Sequence, residues 1–265
     1  MKDWVHQGVF DFGCVVETKV KESKAMCILH KVFPGWSLLT KYEHHRLGRI
    51  WVVWRSNVRV TPLFKSSQLI SCSVLLNGHD KEFLISFVYA SNNPEERKIL
   101  WEDLKSHYDS PMFKGKPWLI CGDFNEILDG EEHSLFESNP IVPSGMKDFQ
   151  EAVQHCELTD MSFHGPMFTW CNRRTDGVIH KKLDRVLVNI DWLSTFVGSY
   201  TVFEAGGCSY HLRGRIHIKE QEPRARRPFK FTNAIAELPN FEASIREEWD
   251  KFYRVFSSTS TIFRY

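Results

Sequence analysis

The sequence lacks most of the short signatures by which a chain announces its chemistry. Its seven cysteines (Cys14, Cys27, Cys72, Cys121, Cys156, Cys171 and Cys208) form no CxxC pair, so neither a zinc ribbon nor a dithiol redox motif is expected. Cys14, Cys72 and Cys121 lie inside apolar runs and read as small core residues. A reducing intracellular compartment without disulfide partners fits them best. There is no GxxxxGK(S/T) loop for nucleotide-driven phosphoryl transfer. There is no GxSxG elbow for serine hydrolysis either. No apolar stretch approaches the roughly 20 residues of a membrane span, and the opening MKDWVHQ has no apolar signal-peptide region. The net charge is only +1, which gives no global pull toward nucleic acid or membrane. Internal repeats are absent too.

What is present is apolar and aromatic. The 265 residues are 42% hydrophobic and 14% aromatic, enough for one large domain or two small ones. Strand-like runs dominate the first half: VFDFGCVVETK (9–19), GRIWVVWRSNVRV (48–60), QLISCSVLLN (68–77) and KEFLISFVYAS (81–91). Asn77-Gly78 between the last two is a hairpin signal. Pro94 opens a helical pattern with Ile99, Leu100, Leu104 and Tyr108 at helical spacing. WLICG (118–122) reads as a short buried strand, and MKDFQEAVQHCEL (146–158) as a second amphipathic helix. MFTWC (167–171), KKLDRVLVN (181–189) and YTVFEA (200–205) return to strands, with a short helix at DWLSTF (191–196). This irregular alternation with adjacent strand pairs predicts an α+β sandwich of mixed sheets covered by helices, and not a doubly wound Rossmann fold.

Composition shifts near residue 213. RGRIHIKEQEPRARRPFKF is rich in arginine and lysine, holds two prolines, and reads as a linker. Beyond it, Phe241, Ile245, Trp249, Phe252 and Phe256 recur at near-fourfold spacing, which predicts one amphipathic helix. The expected domains are 1–218 and a basic linker with helix over 219–265.

Several polar residues stand at the ends of apolar strands: Glu17, Tyr89, Asn92, Asp123, Asn125 and Asp184, with His211 just after the 200–205 strand. Each alone reads as a cap or a solvated turn. Together they suit one pocket, because strand ends on one edge of a sandwich converge. Such hard oxygen donors select Mg²⁺ or Mn²⁺ over zinc. A carboxylate for water, a carboxamide for phosphate and a histidine for developing charge complete a phosphodiester hydrolysis site.

The ordered series ETK (17–19), VYAS (88–91), CGDFN (121–125), FTWCN (168–172), KLDRVLVN (182–189) and SYH (209–211) resembles the endonuclease/exonuclease/phosphatase superfamily. Within it, the chain is most similar to the apurinic-endonuclease-like domain of plant non-LTR (LINE-type) retrotransposons, over roughly residues 5–218. The tail is similar to the linker that precedes reverse transcriptase in those elements, a domain absent from this chain. The resemblance implies a four-layer α/β sandwich, two mixed sheets between helices. It implies that Glu17 holds Mg²⁺, Tyr89 touches the scissile phosphate, Asp123 orients or deprotonates the attacking water, and Asn125 binds a phosphate oxygen. It pairs Asp184 with His211, which then stabilises phosphoryl charge. Thr169, Trp170 and Asn172 fall in a family-like motif with a mostly structural or substrate-contact role.

Two departures accompany the resemblance. The family begins with a strand carrying a Trp-Asn-x-Arg-Gly-like motif, and this chain starts after it, so an inner strand is expected to be absent. The family's Ser-Asp-His is here Ser209-Tyr210-His211, and a tyrosine cannot replace the aspartate's charge at neutral pH. Arg213 and Arg215 stand where a buried strand is usual. The leading expectation is Mg²⁺-dependent nicking of DNA, impaired by these departures. The alternatives are an inactive retroelement-derived remnant and a phosphatase on a small substrate. Lys19, Lys21, Arg173, Arg174, Lys181, Lys182 and the RARR run at 224–227 are the candidate DNA-phosphate contacts. RARR is also a weak nuclear-localisation pattern.

Overall fold

A computed structural model of the chain describes residues 10–136, 138, 140, 144–206, 209–219 and 240–256. The chain forms two compact units, Met1–Gln221 and Glu222–Tyr265. In order, the first holds β1 (Phe12–Val16), α1 (Glu22–Val32), β2 (Ser37–Leu39), β3 (Ile50–Trp54), β4 (Val58–Lys65), β5 (Leu69–Leu76), β6 (Phe83–Tyr89), α2 (Pro94–Asp109) and β7 (Trp118–Asp123). It continues with α3 (Ser144–His155), β8 (Thr159–Asp160), β9 (Phe163–His164), β10 (Trp170–Cys171), β11 (His180–Lys181), β12 (Asp184–Val188), α4 (Ile190–Thr195), β13 (Tyr200–Glu204) and β14 (Arg213–His217). The second unit holds α5 (Phe241–Phe256), on which Ile245 and Trp249 are exposed. Among the described residues, no helix is long and apolar enough to cross a membrane.

The fold is mixed α+β, as the sequence pattern predicts. A six-stranded sheet of order β4-β5-β6-β7-β12-β8 forms its centre. β6 and β7 run parallel and β7 and β12 antiparallel, so the sheet is mixed. Side chains alternate across it. One face (Ile85, Phe87, Leu119, Cys121, Val186, Val188) packs against β3, with β1 and β14 residues at the margin. The other face (Leu84, Val88, Ile120, Leu187) packs against α2 and α3 through Leu100, Trp101, Leu104 and Phe149. The facing layer consists of two three-stranded sheets, β1-β3-β2 and β14-β13-β9. α1 covers the outer side of the first through Leu29, beside Val53.

Local chemistry starts and stops these elements where expected. Pro94 opens α2, and the Asn93 side chain accepts the Glu95 N–H at 3.1 Å. Asn189 ties α4 to β7, its Oδ1 accepting from Trp192 N (2.9 Å) and Trp118 N (3.0 Å).

Three segments differ from expectation. The run 48–60 is two strands in different sheets, broken at Arg55–Asn57. The stretch beginning at 213 opens with a strand, β14, and not with a linker. There Ile216 faces the core, while Arg215 donates to Glu204 Oε1 at 2.9 Å and Arg213 to the Ala205 carbonyl at 3.0 Å. RGRIHI is thus a polar–apolar alternation of period two, which its arginines disguised. α1 is the third difference, a helix absent from the sequence expectation. The segment before residue 10 and the RARR run lie outside the described residues.

Candidate active site

Tyr89, Asp123 and Asp184 meet because three neighbouring strands end or begin in register. Tyr89 pairs with Asp123 across β6–β7, and Asp184 pairs with Asp123 across β7–β12. All three lie on the face toward the partner sheets, at one rim. The register depends on Gly122, whose φ is 143° and where a Cβ would lie 2.0 Å from the Val88 carbonyl oxygen. No other residue permits this approach of β6 to β7.

Beyond β7 the chain turns sharply. Asn125 has φ 49°, and its N–H donates to Asp123 Oδ1 at 2.9 Å. Its side-chain amide donates to the Ala90 carbonyl at 2.7 Å, so the carboxamide is held against the end of β6. The FTWCN segment splices the remaining parts together. Thr169 Oγ1 accepts from the N–H groups of Leu183 (3.0 Å) and Asp184 (2.9 Å), which fixes the start of β12. Leu212 N–H donates to the Thr169 carbonyl (2.7 Å) and Cys171 N–H to the Tyr210 carbonyl (3.1 Å). His211 bridges to Trp170 between them.

His211 is thereby delivered to the carboxylates. Its Nδ1 lies 2.9 Å from Asp184 Oδ2 and its Nε2 lies 3.8 Å from Asp123 Oδ2. Burial by itself would lower the imidazole pKa. The hydrogen bond and charge of Asp184, with the charges of Asp123 and Glu17, outweigh burial and raise it. Asp123 is 3% exposed. Burial first, then the charges of Asp184 and Glu17, push its carboxyl up to about 7, against the pull of His211 and the Asn125 N–H. Tyr89 is pushed up to about 12 by burial and by the charges of Glu17 and Asp123, with Arg49 opposing.

Ligand atoms of Asp123, Asp184 and His211 lie within 4.8 Å of one another. The imidazole is engaged with Asp184, and the surrounding carboxylates favour its charged form, so it suits a hydrogen-bond donor better than a metal ligand. Burial and then its carboxylate neighbours disfavour the Asp123 charge, and a hard divalent cation would offset both. The oxygen-rich donor set fits such an ion. Glu17 stands just outside the cluster. Its Oε1 is 2.6 Å from Lys19 Nζ, and its charge is felt at Asp123, Tyr89 and His211.

Other sequence candidates fall elsewhere. Asn172 organises the β10–β11 loop, accepting from Ile179 N and donating to the Gly177 carbonyl, both at 3.0 Å. Asn92 is exposed, and its backbone carbonyl accepts from Arg97 (3.1 Å). Lys182, expected at the surface as a phosphate contact, is buried instead, with its Nζ 2.9 Å from Asp160 and 3.5 Å from Glu132. Tyr210 is 56% exposed, with the Arg173 guanidinium 5.3 Å from its ring centroid. The sequence reading missed Arg49, which lies 5.7 Å from the Tyr89 ring. Its one signal is Gly48-Arg49 directly before the apolar run IWVVW.

Among the described residues, five of the seven non-glycine positions with positive φ lie here: Glu17, Lys19, Arg49, Asn125 and Arg173. Backbone held in a region that L residues avoid concentrates at functional sites, and its clustering singles out this rim.

The fold has solved counterparts. The endonuclease domain of TRAS1, a telomere-specific non-LTR retrotransposon, superposes with a TM-score of 0.58 at 13% identity, over 77% of this chain and 94% of that one. An AP endonuclease from Archaeoglobus fulgidus gives 0.57 at 14% identity, over 82% and 92%. The mannosyl-6-phosphatase Bt3783 of Bacteroides thetaiotaomicron gives 0.52 at 12% identity, over 82% and 88%. No curated protein matches in sequence. A sequence profile of the Endonuclease/Exonuclease/phosphatase family matches residues 1–211, and the chain belongs to that family.

Proposed function

We propose that the chain hydrolyses phosphodiester bonds in DNA, as a divalent-cation-dependent nicking endonuclease of the retrotransposon type. The observation that carries this reading is the Asp123–His211–Asp184 constellation at the strand ends, with Asn125 locked beside it. Glu17 and Asp123 are the carboxylates that would hold Mg²⁺ or Mn²⁺. A bound cation supplies positive charge to the phosphoryl oxygens and to the buried carboxylates.

The chain's own residues do the rest. Asp123 positions a water and takes one of its protons as the water oxygen bonds to phosphorus. The P–O ester bond opposite breaks, its electron pair leaving on the ester oxygen, which takes a proton from solvent, giving a phosphomonoester and an alcohol. His211, oriented by Asp184, donates a hydrogen bond to the phosphoryl oxygen as charge builds there. Asn125 and Tyr89 hold the phosphate in line. Tyr210 brings no carboxylate to the rim, so the rate falls below that of a site with the aspartate. Loss of one charge-stabilising group costs about 10²–10³ in rate.

The test is nicking of supercoiled plasmid with Mg²⁺ against EDTA. Mg²⁺-dependent nicking that Asp123→Ala removes is the expected result. No nicking, or nicking that Asp123→Ala leaves intact, sinks the reading. Faster hydrolysis of soluble inositol phosphates than of DNA would redirect it to a small-molecule phosphatase.

A further inference from the structure

We infer that Arg49 is a phosphate-binding residue of this site, its guanidinium taking a nonbridging oxygen of the substrate phosphate beside Tyr89. The inference deepens the phosphodiesterase reading and rests on it for the identity of the substrate.

Position comes first. The guanidinium lies 5.7 Å from the centroid of the Tyr89 ring, and Tyr89 stands in register with Asp123. The Arg49 carbonyl accepts the N–H of Thr18, the residue after Glu17, at 3.4 Å. Arg49 is therefore tied by its backbone to the residue that follows one candidate, Glu17, and by its side chain to another, Tyr89.

Rigidity comes second. Thr18 Oγ1 donates to the Leu47 carbonyl at 3.2 Å. Tyr42 fills the space under Gly48, where a Cβ would lie 2.8 Å from its ring. The same tyrosine donates to the Val20 carbonyl (3.0 Å) and accepts from Trp51 Nε1 (3.2 Å). The turn at 47–49 is thus clamped against residues 18–20. Arg49 itself is held at φ 51°. A cation–π contact on the surface does not require a backbone that L side chains avoid.

Charge comes third. Arg49 is half-buried, and among the described residues its guanidinium makes no hydrogen bond and no ion pair. Its charge reaches Tyr89, Lys41 and His45, so it adds positive field to this side of the rim. The rim also carries Glu17, Asp123 and Asp184, which repel a phosphodiester anion. A guanidinium carried on this clamped turn beside Tyr89, with no ion pair among the described residues, counters that repulsion, and its planar fork matches two phosphate oxygens.

The test uses the full chain and inorganic phosphate as the probe. Phosphate is titrated while the arginine Nε–Hε resonances are followed by NMR, for the unaltered chain, Arg49→Ala, Arg49→Lys and Arg59→Ala. Arg59 sits at the opposite end of the six-stranded sheet and serves as control. Phosphate affinity should fall about 10- to 100-fold in Arg49→Ala, the range for a hydrogen bond to a charged group. It should recover partly in Arg49→Lys and stay unchanged in Arg59→Ala. On DNA, Arg49→Ala should raise KM by a similar factor, and added guanidinium should restore part of the loss. Equal phosphate affinity in Arg49→Ala and the unaltered chain overturns the inference. If the unaltered chain hydrolyses no DNA, the phosphodiesterase reading fails, and the phosphate titration still decides the role of Arg49.

Discussion

Asp184 and Arg185 are neighbours on β12, yet they belong to opposite kinds of charge cluster. Arg185 points to the helix-covered face and is fully buried. There it meets Glu132 and Asp160, with Lys182 beside them. Two cations face two carboxylates, so that cluster is balanced. Asp184 points to the other face, where it and Asp123 share one imidazole. That cluster sets two carboxylates against one imidazole, and burial first, then the charge of Asp184, pushes the carboxyl of Asp123 up to about 7. A balanced buried network holds structure together. An unbalanced one marks a candidate functional site, and under the proposed function it is the place for a cation.

Substitutions on the two sides should therefore separate activity from stability. Asp123→Asn should lower Mg²⁺-dependent nicking by about 10³-fold or more. Its melting temperature in EDTA should hold or rise, because a repelling buried charge is gone. Glu132→Ala should do the reverse. Removing one partner of a buried ion network costs about 3–5 kcal/mol, readable as a lower urea midpoint, while nicking per folded molecule is kept. If Glu132→Ala leaves stability unchanged and Asp123→Asn lowers it, the contrast between the two clusters is wrong.

Tyr210→Asp sharpens the same contrast from the other direction. It adds a carboxylate next to His211 and removes the ring that Arg173 covers. Without a divalent ion, the cluster moves further from balance and the melting temperature should drop. With Mg²⁺ the added charge should speed nicking by about 10- to 100-fold, within the range of one charge-stabilising group. A variant no faster than the unaltered chain at saturating Mg²⁺ would show that Tyr210 is not what slows the site.

How much of this was legible follows from how local each feature is. WLICGD announced itself because an apolar run, a glycine and a carboxylate sit together, and β7 is that run. Asp184 and His211 were legible through motif order, though their 2.9 Å contact depends on Thr169 fixing β12 and on the bridge from Trp170 to His211. α1 was invisible because only Ala25 and Leu29 are buried on it, while Met26 is exposed, so no apolar stripe forms. Lys182 read as a surface phosphate contact because its partners Glu132 and Asp160 are distant in sequence. Arg49 carried no motif at all. Its proposed role rests on a backbone angle and on a guanidinium with no ion pair among the described residues, and neither is written in residue identity.

Lys41 gives the smallest and cleanest measure of what an unbalanced buried charge does. It is fully buried, and its Nζ donates to the Ser67 carbonyl at 2.5 Å. Burial first, then the charge of Arg49, bring its pKa from 10.5 down to about 7, with Glu43 opposing. Between these two values the unfolded chain holds a proton that the folded chain does not. Stability due to Lys41 must therefore rise with pH from about 7 toward 10.5 and be lowest, without slope, below 7. Other groups titrate in the same window, so the difference between two chains is the useful quantity. Urea midpoints of the unaltered chain and Lys41→Met at pH 6.5, 8 and 9.5 should diverge most at pH 6.5, with the variant ahead, and draw together as pH rises. Parallel curves would mean that the ammonium is solvated or paired at neutral pH, and that burial alone does not set the charge state in this fold.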